Sequence, residues 1–404
     1  MTSKPSKSYN PASFIFKASI LAISIDATAS GVVSGAIPLL KESFAKAPTA
    51  LVESISTLPS LSIMLFVLLS SFITKAIGYK KTVLLGLFIS FLSGIAPFFL
   101  DNLYLILVSR FLFGAGIGML NPLSYSIISY FYEGDTRAKM FGLISTVSNT
   151  ASVILTAFVG LLLTISWKAS FLTYFVLLAV FFLVLFFVPD VKIEEEKGEG
   201  KTNIFHELRN IDKRVFACAA GMFILFSIFM TINIKLGLLI TGKGYGDATQ
   251  TSFILSLSNL TGIVIGVIFG NVYKHVKEKL FPIMLIVMAL GLFGLISSGN
   301  IFVTGGMIIV LAAAFSFMST YLFLRVSNLV PKEKNNIVSS IMLIAINLGG
   351  FLAPYVMAGL ALLAGTEAPS SSLMICAFIL LGVWVIVMMS NLFYQRQGKM
   401  KSSK

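Results

Sequence analysis

Three ionisable side chains, Asp26, Arg110 and Lys235, stand deep inside otherwise apolar stretches of this sequence. If those stretches cross a membrane, each charge costs at least about 2.5–3.5 kcal/mol on insertion scales and marks a functional position. Other chemistries find little support. His206 and His275 fall in polar breaks, so neither offers a deep imidazole for proton relay or metal work. Cys218 and Cys376 lie in apolar runs without C-x-x-C or zinc spacing and read as small packing residues. Gly200-Lys201-Thr202 imitates the tail of a phosphate-binding loop, but Glu195 stands where its first glycine belongs. No metal, cofactor or enzymatic centre is expected, and ATP-driven pumping is disfavoured.

The elements that position the three charges follow from composition. Of 404 residues, 57% are hydrophobic and only 12% charged, against about 25% charged in soluble chains. Mean hydropathy is +0.93. The net charge of +13 would suggest nucleic acid in a soluble protein; here its placement matters more than its sum. A spanning helix takes about 20 apolar residues. The spacing predicts twelve, over 14–40, 51–73, 82–100, 102–132, 139–164, 168–189, 215–240, 248–272, 280–298, 301–329, 336–364 and 370–394, numbered helices 1 to 12 below. The expected class is an all-α, multi-pass membrane protein. Helix 1 resembles a signal peptide at Ala27-Thr28-Ala29, but Asp26 interrupts its apolar run and the helix is expected to continue to Pro38.

Basic residues fix the expected orientation. With a cytoplasmic N-terminus, only Lys41, Lys46, Lys168 and Lys243 of the 30 Lys and Arg lie outside, and only Arg110 and Lys235 within the membrane. The positive-inside rule therefore places both termini in the cytoplasm, for a chain in the plasma membrane. The expected organisation is a tail over 1–13, six helices over 14–189, a cytoplasmic linker over 190–214, six helices over 215–394 and a tail over 395–404.

Polarity is shared unevenly. Helices 3, 6, 9 and 12 are nearly unbroken Leu, Phe, Ile, Val and Met, and are expected to face lipid on most sides. Helices 1, 5, 7, 8, 10 and 11 carry Ser, Thr and Asn, which in hydrocarbon must find partners or water, so they are expected to pack inward around a hydrated cavity. Every third helix is thus apolar. Asn149 precedes Gly160 much as Asn347 precedes Gly359, and the rhythm points to two related six-helix bundles with the binding site between them.

Arg110-Phe111-Leu112-Phe113-Gly114-Ala115-Gly116 resembles the Arg-x-x-x-Gly-x-Gly signature of the major facilitator superfamily. Gly78-Tyr79-Lys80-Lys81 is similar to the end of that family's loop after helix 2, and Trp167-Lys168-Ala169-Ser170-Phe171 to its aromatic and basic approach to helix 6. Two departures stand out. Ser71 and Lys75 occupy the loop motif's first Gly and its Asp, and helix 5 lacks the Gly-Pro-x-x-Gly-Gly motif of many drug antiporters. The resemblance implies a secondary transporter of two pseudo-symmetric bundles, with Gly78, Lys80 and Lys81 in a gating loop and Arg110 linked to proton coupling.

Asp26 lies ~18 Å below Pro38 and Arg110 ~12 Å into helix 4. A guanidinium spans that difference, so the two are expected to form either a static ion pair or a titrating site. Ser227, Thr231 and Lys235 form one stripe along helix 7. With Asp26 offset by Arg110, Lys235 is expected to lack a deep acidic partner and to anchor a carboxylate, or else to snorkel over the ~8 Å to the outer surface. Ser30, Asn149, Asn347, Tyr125 and Tyr321 complete the expected binding surface. The expected activity is transport of a small amphipathic or carboxylated organic solute by alternating access, with the proton as coupling ion; export of hydrophobic cations recognised by Asp26 is the alternative. The partners are then the solute, protons and the lipid bilayer, not nucleic acid.

Overall fold

The computed structural model describes residues 13–190, 212–330, 335–365 and 368–402. His206 and most of the expected linker lie outside these residues, as does nearly all of the expected N-terminal tail. Among them there is no strand, and a helix occupies each predicted stretch. Helices 2 to 5 are Thr49–Ile77, Tyr79–Phe99, Leu103–Phe131 and Gly134–Leu163. Helix 6 begins as a 3-10 turn, Ala169–Tyr174, and continues as Phe175–Phe187. Helices 7 to 12 are Lys213–Gly242, Ala248–Val276, Leu280–Ser297, Ile301–Leu329, Asn335–Ala364 and Pro369–Ser402. Helix 12 therefore runs on through the stretch from 395 that was expected to be a tail.

Helix 1 departs from expectation. Instead of one continuous span it breaks into Phe14–Ala22, Ile25–Thr28, a 3-10 stretch Ala29–Ala36 and Ile37–Ser43. The two halves meet at 48°. Small residues at Ser30, Gly31, Ser34 and Gly35 give the α-form little side-chain packing, and Pro38 takes one N–H from the ladder. Counting this bent pair as one span, and dividing Ala248–Ser297 at its 3-10 turn Lys277–Lys279, gives the twelve predicted spans.

Side chains at helix starts hold the ends. Asn102 Oδ1 accepts from Tyr104 N at 2.9 Å, Asn300 Oδ1 from Phe302 N at 2.8 Å, and Asp247 forms a reciprocal capping box with Gln250. Gly78 ends helix 2 with φ of 89°, a conformation costly for any residue with a Cβ. Next to it Tyr79 Oη donates to Leu123 O at 2.7 Å and Lys80 Nζ to Leu185 O at 2.8 Å, tying the loop to helices 4 and 6 of its own bundle.

One apolar core joins helices 7 to 12 and two join helices 1 to 6, one of which also takes in Ile234 of helix 7 and Ala248 of helix 8 at the seam. These are the two bundles. Helix 4 sits close to helices 2 and 3 because a Cβ at Gly114 would strike Pro59 and Ser62, and one at Gly116 would strike Ser90 and Gly86. Helices 3, 6, 9 and 12 show lipid one side only, as with Phe88, Phe182, Leu290 and Phe378. Their other sides are buried, and helix 6 even contributes a fully buried polar group, Tyr174.

Contacts between the bundles cluster on the face opposite the chain ends. Ser54 Oγ lies 2.8 Å from Tyr355 Oη, Ser256 Oγ donates to Val153 O at 2.8 Å, and Asn259 Nδ2 donates to Thr156 Oγ1 at 3.3 Å. Gly237 packs on Pro38, and Gly35 and Gly160 on Ser252. Toward the chain ends the same helices lose their cover. From Met64 to Ile77 only Ser70 of helix 2 is buried, and from Asn259 to Val276 only Ile265 of helix 8. The bundles are closed on one face and splayed on the other.

Candidate functional site

Two polar assemblies lie in the closed half. The first surrounds the break in helix 1. Asp26 is fully buried, and its Oδ2 accepts from Ser90 Oγ of helix 3 at 3.0 Å. Arg110, also fully buried, does not form the expected ion pair with it. Its Nε donates to Ile55 O at 3.1 Å, and one Nη donates to Ser30 O and to Tyr174 Oη, each at 3.2 Å. Tyr174 Oη in turn donates to Ala29 O at 3.0 Å.

The reason is local chemistry. Proline has no N–H and leaves the carbonyl four residues earlier without its helical donor; for Pro59 that carbonyl is Ile55 O, the one Arg110 takes. The carbonyls of Ala29 and Ser30 lie in the 3-10 stretch of helix 1, and Tyr174 and Arg110 take those. Aromatic faces hold the guanidinium, with its carbon 4.3 Å from the Phe113 ring centre and 5.3 Å from that of Tyr174. Arg110 thus staples two interrupted backbones. Asp26 Oδ1 and Arg110 Nη1 have no hydrogen-bond partner among the described residues.

The second assembly crosses the bundles. Lys235 Nζ lies 2.6 Å from Glu53 Oε1, with side chains 9% and 2% exposed. This corrects the expectation that Lys235 lacks a deep acid. Glu53 sits in the second turn of helix 2, ~6 Å from its start, and Lys235 seven residues, ~10 Å, before the end of helix 7, so antiparallel entry into the membrane sets them level. Thr231, also buried, donates to Ser227 O at 2.8 Å within helix 7 and lies beside the pair with Pro354 and Met357. A pocket of about 420 Å³ opens above it.

The remaining expected residues are dispersed. Ser30 is half-buried and contributes its carbonyl to Arg110. Asn149 is exposed on helix 5, and Asn347, half-buried on helix 11, donates to Leu343 O at 2.9 Å in its own helix. Tyr125 is 48% exposed with its ring 5.6 Å from that of Phe141. Tyr321 is not a cavity residue. It is buried in the core of the second bundle, stacked on Phe281 and accepting from Arg325 at 3.2 Å. Lys81 is exposed beside the turn at Gly78. Glu53, Ser90 and Tyr174 are the residues that sequence reasoning missed. A lone acid in the second turn of an apolar helix was the signal for Glu53; nothing distinguished Tyr174 among the aromatics of helix 6.

A bent first helix, inter-bundle contacts confined to one face and buried charges at that face describe a two-bundle membrane fold with known relatives. The chain aligns over 93% of its length with 98% of the nucleoside transporter NupG, at a TM-score of 0.76 and 12% identity. It aligns over 95% of its length with 98% of the POT family transporter PepTSo, at 0.73 and 12%. A peptide transporter POT in complex with alafosfalin matches at 0.66 and 11%, over 91% of this chain and 93% of that one. At such identity the likeness is one of fold. No curated protein matches the sequence. The family model described as Major Facilitator Superfamily matches residues 19–354, and the chain belongs to that superfamily.

Proposed function

We propose that this protein is a secondary transporter that moves a small carboxylated or amphipathic organic solute by alternating access between its two bundles. The observation that carries this reading is the buried Glu53–Lys235 pair. It ties the bundles together on the closed face, and those two charges must part when that face opens. Breaking a buried pair with nothing in its place is costly, so a solute carboxylate that takes Lys235 lowers the barrier to opening. Peptides, the solutes named for one structural neighbour, carry such a carboxylate; nucleosides, named for another, do not. Asp26, buried with one oxygen unmatched, is the coupling acid in this reading. Export of hydrophobic cations is the second reading, and it rests on the same unmatched oxygen.

Lysine and arginine placement supports cytoplasmic termini in the plasma membrane, which makes the described state open to the cytoplasm. A tag at Lys404 and a protease site within 194–200 are then expected to react only after permeabilisation. Labelling of either in intact cells would reverse the orientation.

The solute reading is tested at Lys235. Hydrogen bonds to charged groups contribute about 1.5–3 kcal/mol, and 1.4 kcal/mol is tenfold in affinity. Lys235→Ala is therefore expected to weaken a carboxylated solute by roughly 10- to 150-fold. Lys235→Arg keeps the charge with altered donor geometry and is expected to be milder. A neutral ester of the same solute is expected to bind weakly and to ignore the substitution. Equal losses for acid and ester, or dye cations as the transported species, would rule out the carboxylate anchor.

A further inference from the structure

We infer that the pocket on the closed face is a binding site for an amphipathic organic anion, in which Glu53 holds Lys235 as a tethered competitor for the solute's carboxylate. The inference rests on the reading of Lys235 as a carboxylate anchor and adds where the anion first binds and what it displaces. Among the described residues four charged side chains line the pocket: Lys41 and Lys46 from the end of helix 1 and the loop after it, Lys235 from helix 7 and Glu53 from helix 2. Cations outnumber the one acid. Lys46 is exposed, and Lys41 is half-buried with its ammonium donating to Ala47 O at 2.8 Å, so both present charge at the pocket rather than inside the protein.

Pro354, Met357 and Leu362 of helix 11 supply apolar wall, while Thr49 and Ser372 add hydroxyls. At about 420 Å³ the space lies within the roughly 300–1,000 Å³ typical of small-molecule sites. An apolar wall, basic surroundings and a buried ammonium suit an anion with an apolar body. A cation would meet three ammonium groups and would have to win Glu53 from Lys235. The carboxylate of Glu53 is the head group that the solute carries, so in the closed state the protein supplies its own stand-in. A tethered group competes at an effective concentration on the order of millimolar, and a solute that displaces it also releases the tie between the bundles.

The test uses full-length protein in lipid nanodiscs, with naphthalene-2-carboxylate and its methyl ester as probes and calorimetric affinity as readout. Glu53→Gln removes the competing charge but keeps an acceptor beside Lys235, and is expected to tighten the carboxylate about tenfold while leaving the ester unchanged. The paired substitution Lys41→Gln with Lys46→Gln, at positions that are not buried, is expected to weaken the carboxylate several-fold in 20 mM salt and far less in 500 mM, where screening shortens the reach of exposed charges. Unchanged or weaker carboxylate binding in Glu53→Gln, with Lys235→Ala still selective for the acid, would overturn the competitor and leave the anchor standing. Loss of acid selectivity in the Lys235→Ala comparison would remove the anchor and this inference with it. If Glu53→Gln fails to fold, the two surface lysines decide: no loss of affinity in low salt overturns the site. No measurable carboxylate binding in any variant overturns it as well.

Discussion

Replacing Arg110 by alanine is expected to destabilise the first bundle by roughly 3–5 kcal/mol, through a lost side-chain volume and buried acceptors left without their donor. The acceptors are Ile55 O, stranded by Pro59, and Ser30 O at the break in helix 1. Arg110→Lys keeps the charge but not the fork of donors, so an intermediate loss is expected. A second substitution isolates the cause. Pro59→Ala returns an N–H to the position that bonds Ile55 O in a regular helix, making the Arg110 Nε bond redundant there. In the Pro59→Ala background, Arg110→Lys should therefore cost less than in the native chain, with a coupling of about 0.5–3 kcal/mol in a double-mutant cycle of thermal unfolding. Strict additivity would show that Arg110 does not repair the gap at Pro59.

This role changes how the Arg-x-x-x-Gly-x-Gly segment is understood in this chain. Gly114 and Gly116 let helix 4 approach helices 2 and 3 until side chains cannot fit between them. That approach brings Arg110 within reach of backbone in helix 2 and helix 1. Asp26 lies one turn from the carbonyls that Arg110 and Tyr174 hold, so under the proposed transport reading the arginine acts on the acid by positioning it. Its substitution is expected to affect Asp26 through geometry rather than through a lost ion pair.

The spans and their pairing into bundles were legible because each signal is carried by some 20 residues at once. The inward packing of the polar helices was legible too, and Thr156 of helix 5 and Asn259 of helix 8 meet as their polarity requires, though which helices pair was not. Pairwise charge matching was not. Asp26 and Arg110 were assigned to each other because they were the deepest opposite charges, yet a backbone carbonyl freed by proline and one in the 3-10 stretch competed for the guanidinium and won. Glu53 stands near a helix start, and the three deep charges singled out in the sequence did not include it. Depth alone hid that Lys235 reaches the same level from the opposite bundle. The break in helix 1 was illegible for a related reason: Ala29 to Ala36 is apolar enough to continue a span, and only neighbours that donate to its carbonyls, Arg110 and Tyr174, favour the 3-10 form.

Those neighbours also sharpen what Asp26→Asn should do. Were Arg110 paired to Asp26, an amide there would strand a buried cation and threaten the fold. Since the guanidinium is instead held by carbonyls and aromatic faces, the amide meets no such penalty, and its oxygen still accepts from Ser90 Oγ. The variant is expected to be within about 1 kcal/mol of the native protein in stability, as for a near-isosteric exchange that keeps the bond from Ser90. Transport should divide sharply. Exchange of solute down its gradient needs binding and rocking of the bundles, neither of which requires the charge, and should persist. Accumulation driven by a pH gradient needs a group that binds and releases the proton, and in liposomes it should fall to the level set by exchange alone. Full accumulation in Asp26→Asn would assign coupling elsewhere, with Glu53 the next buried acid to examine. Loss of cationic dye binding, with carboxylate exchange absent, would instead favour the cation reading and make Asp26 the residue that meets the solute.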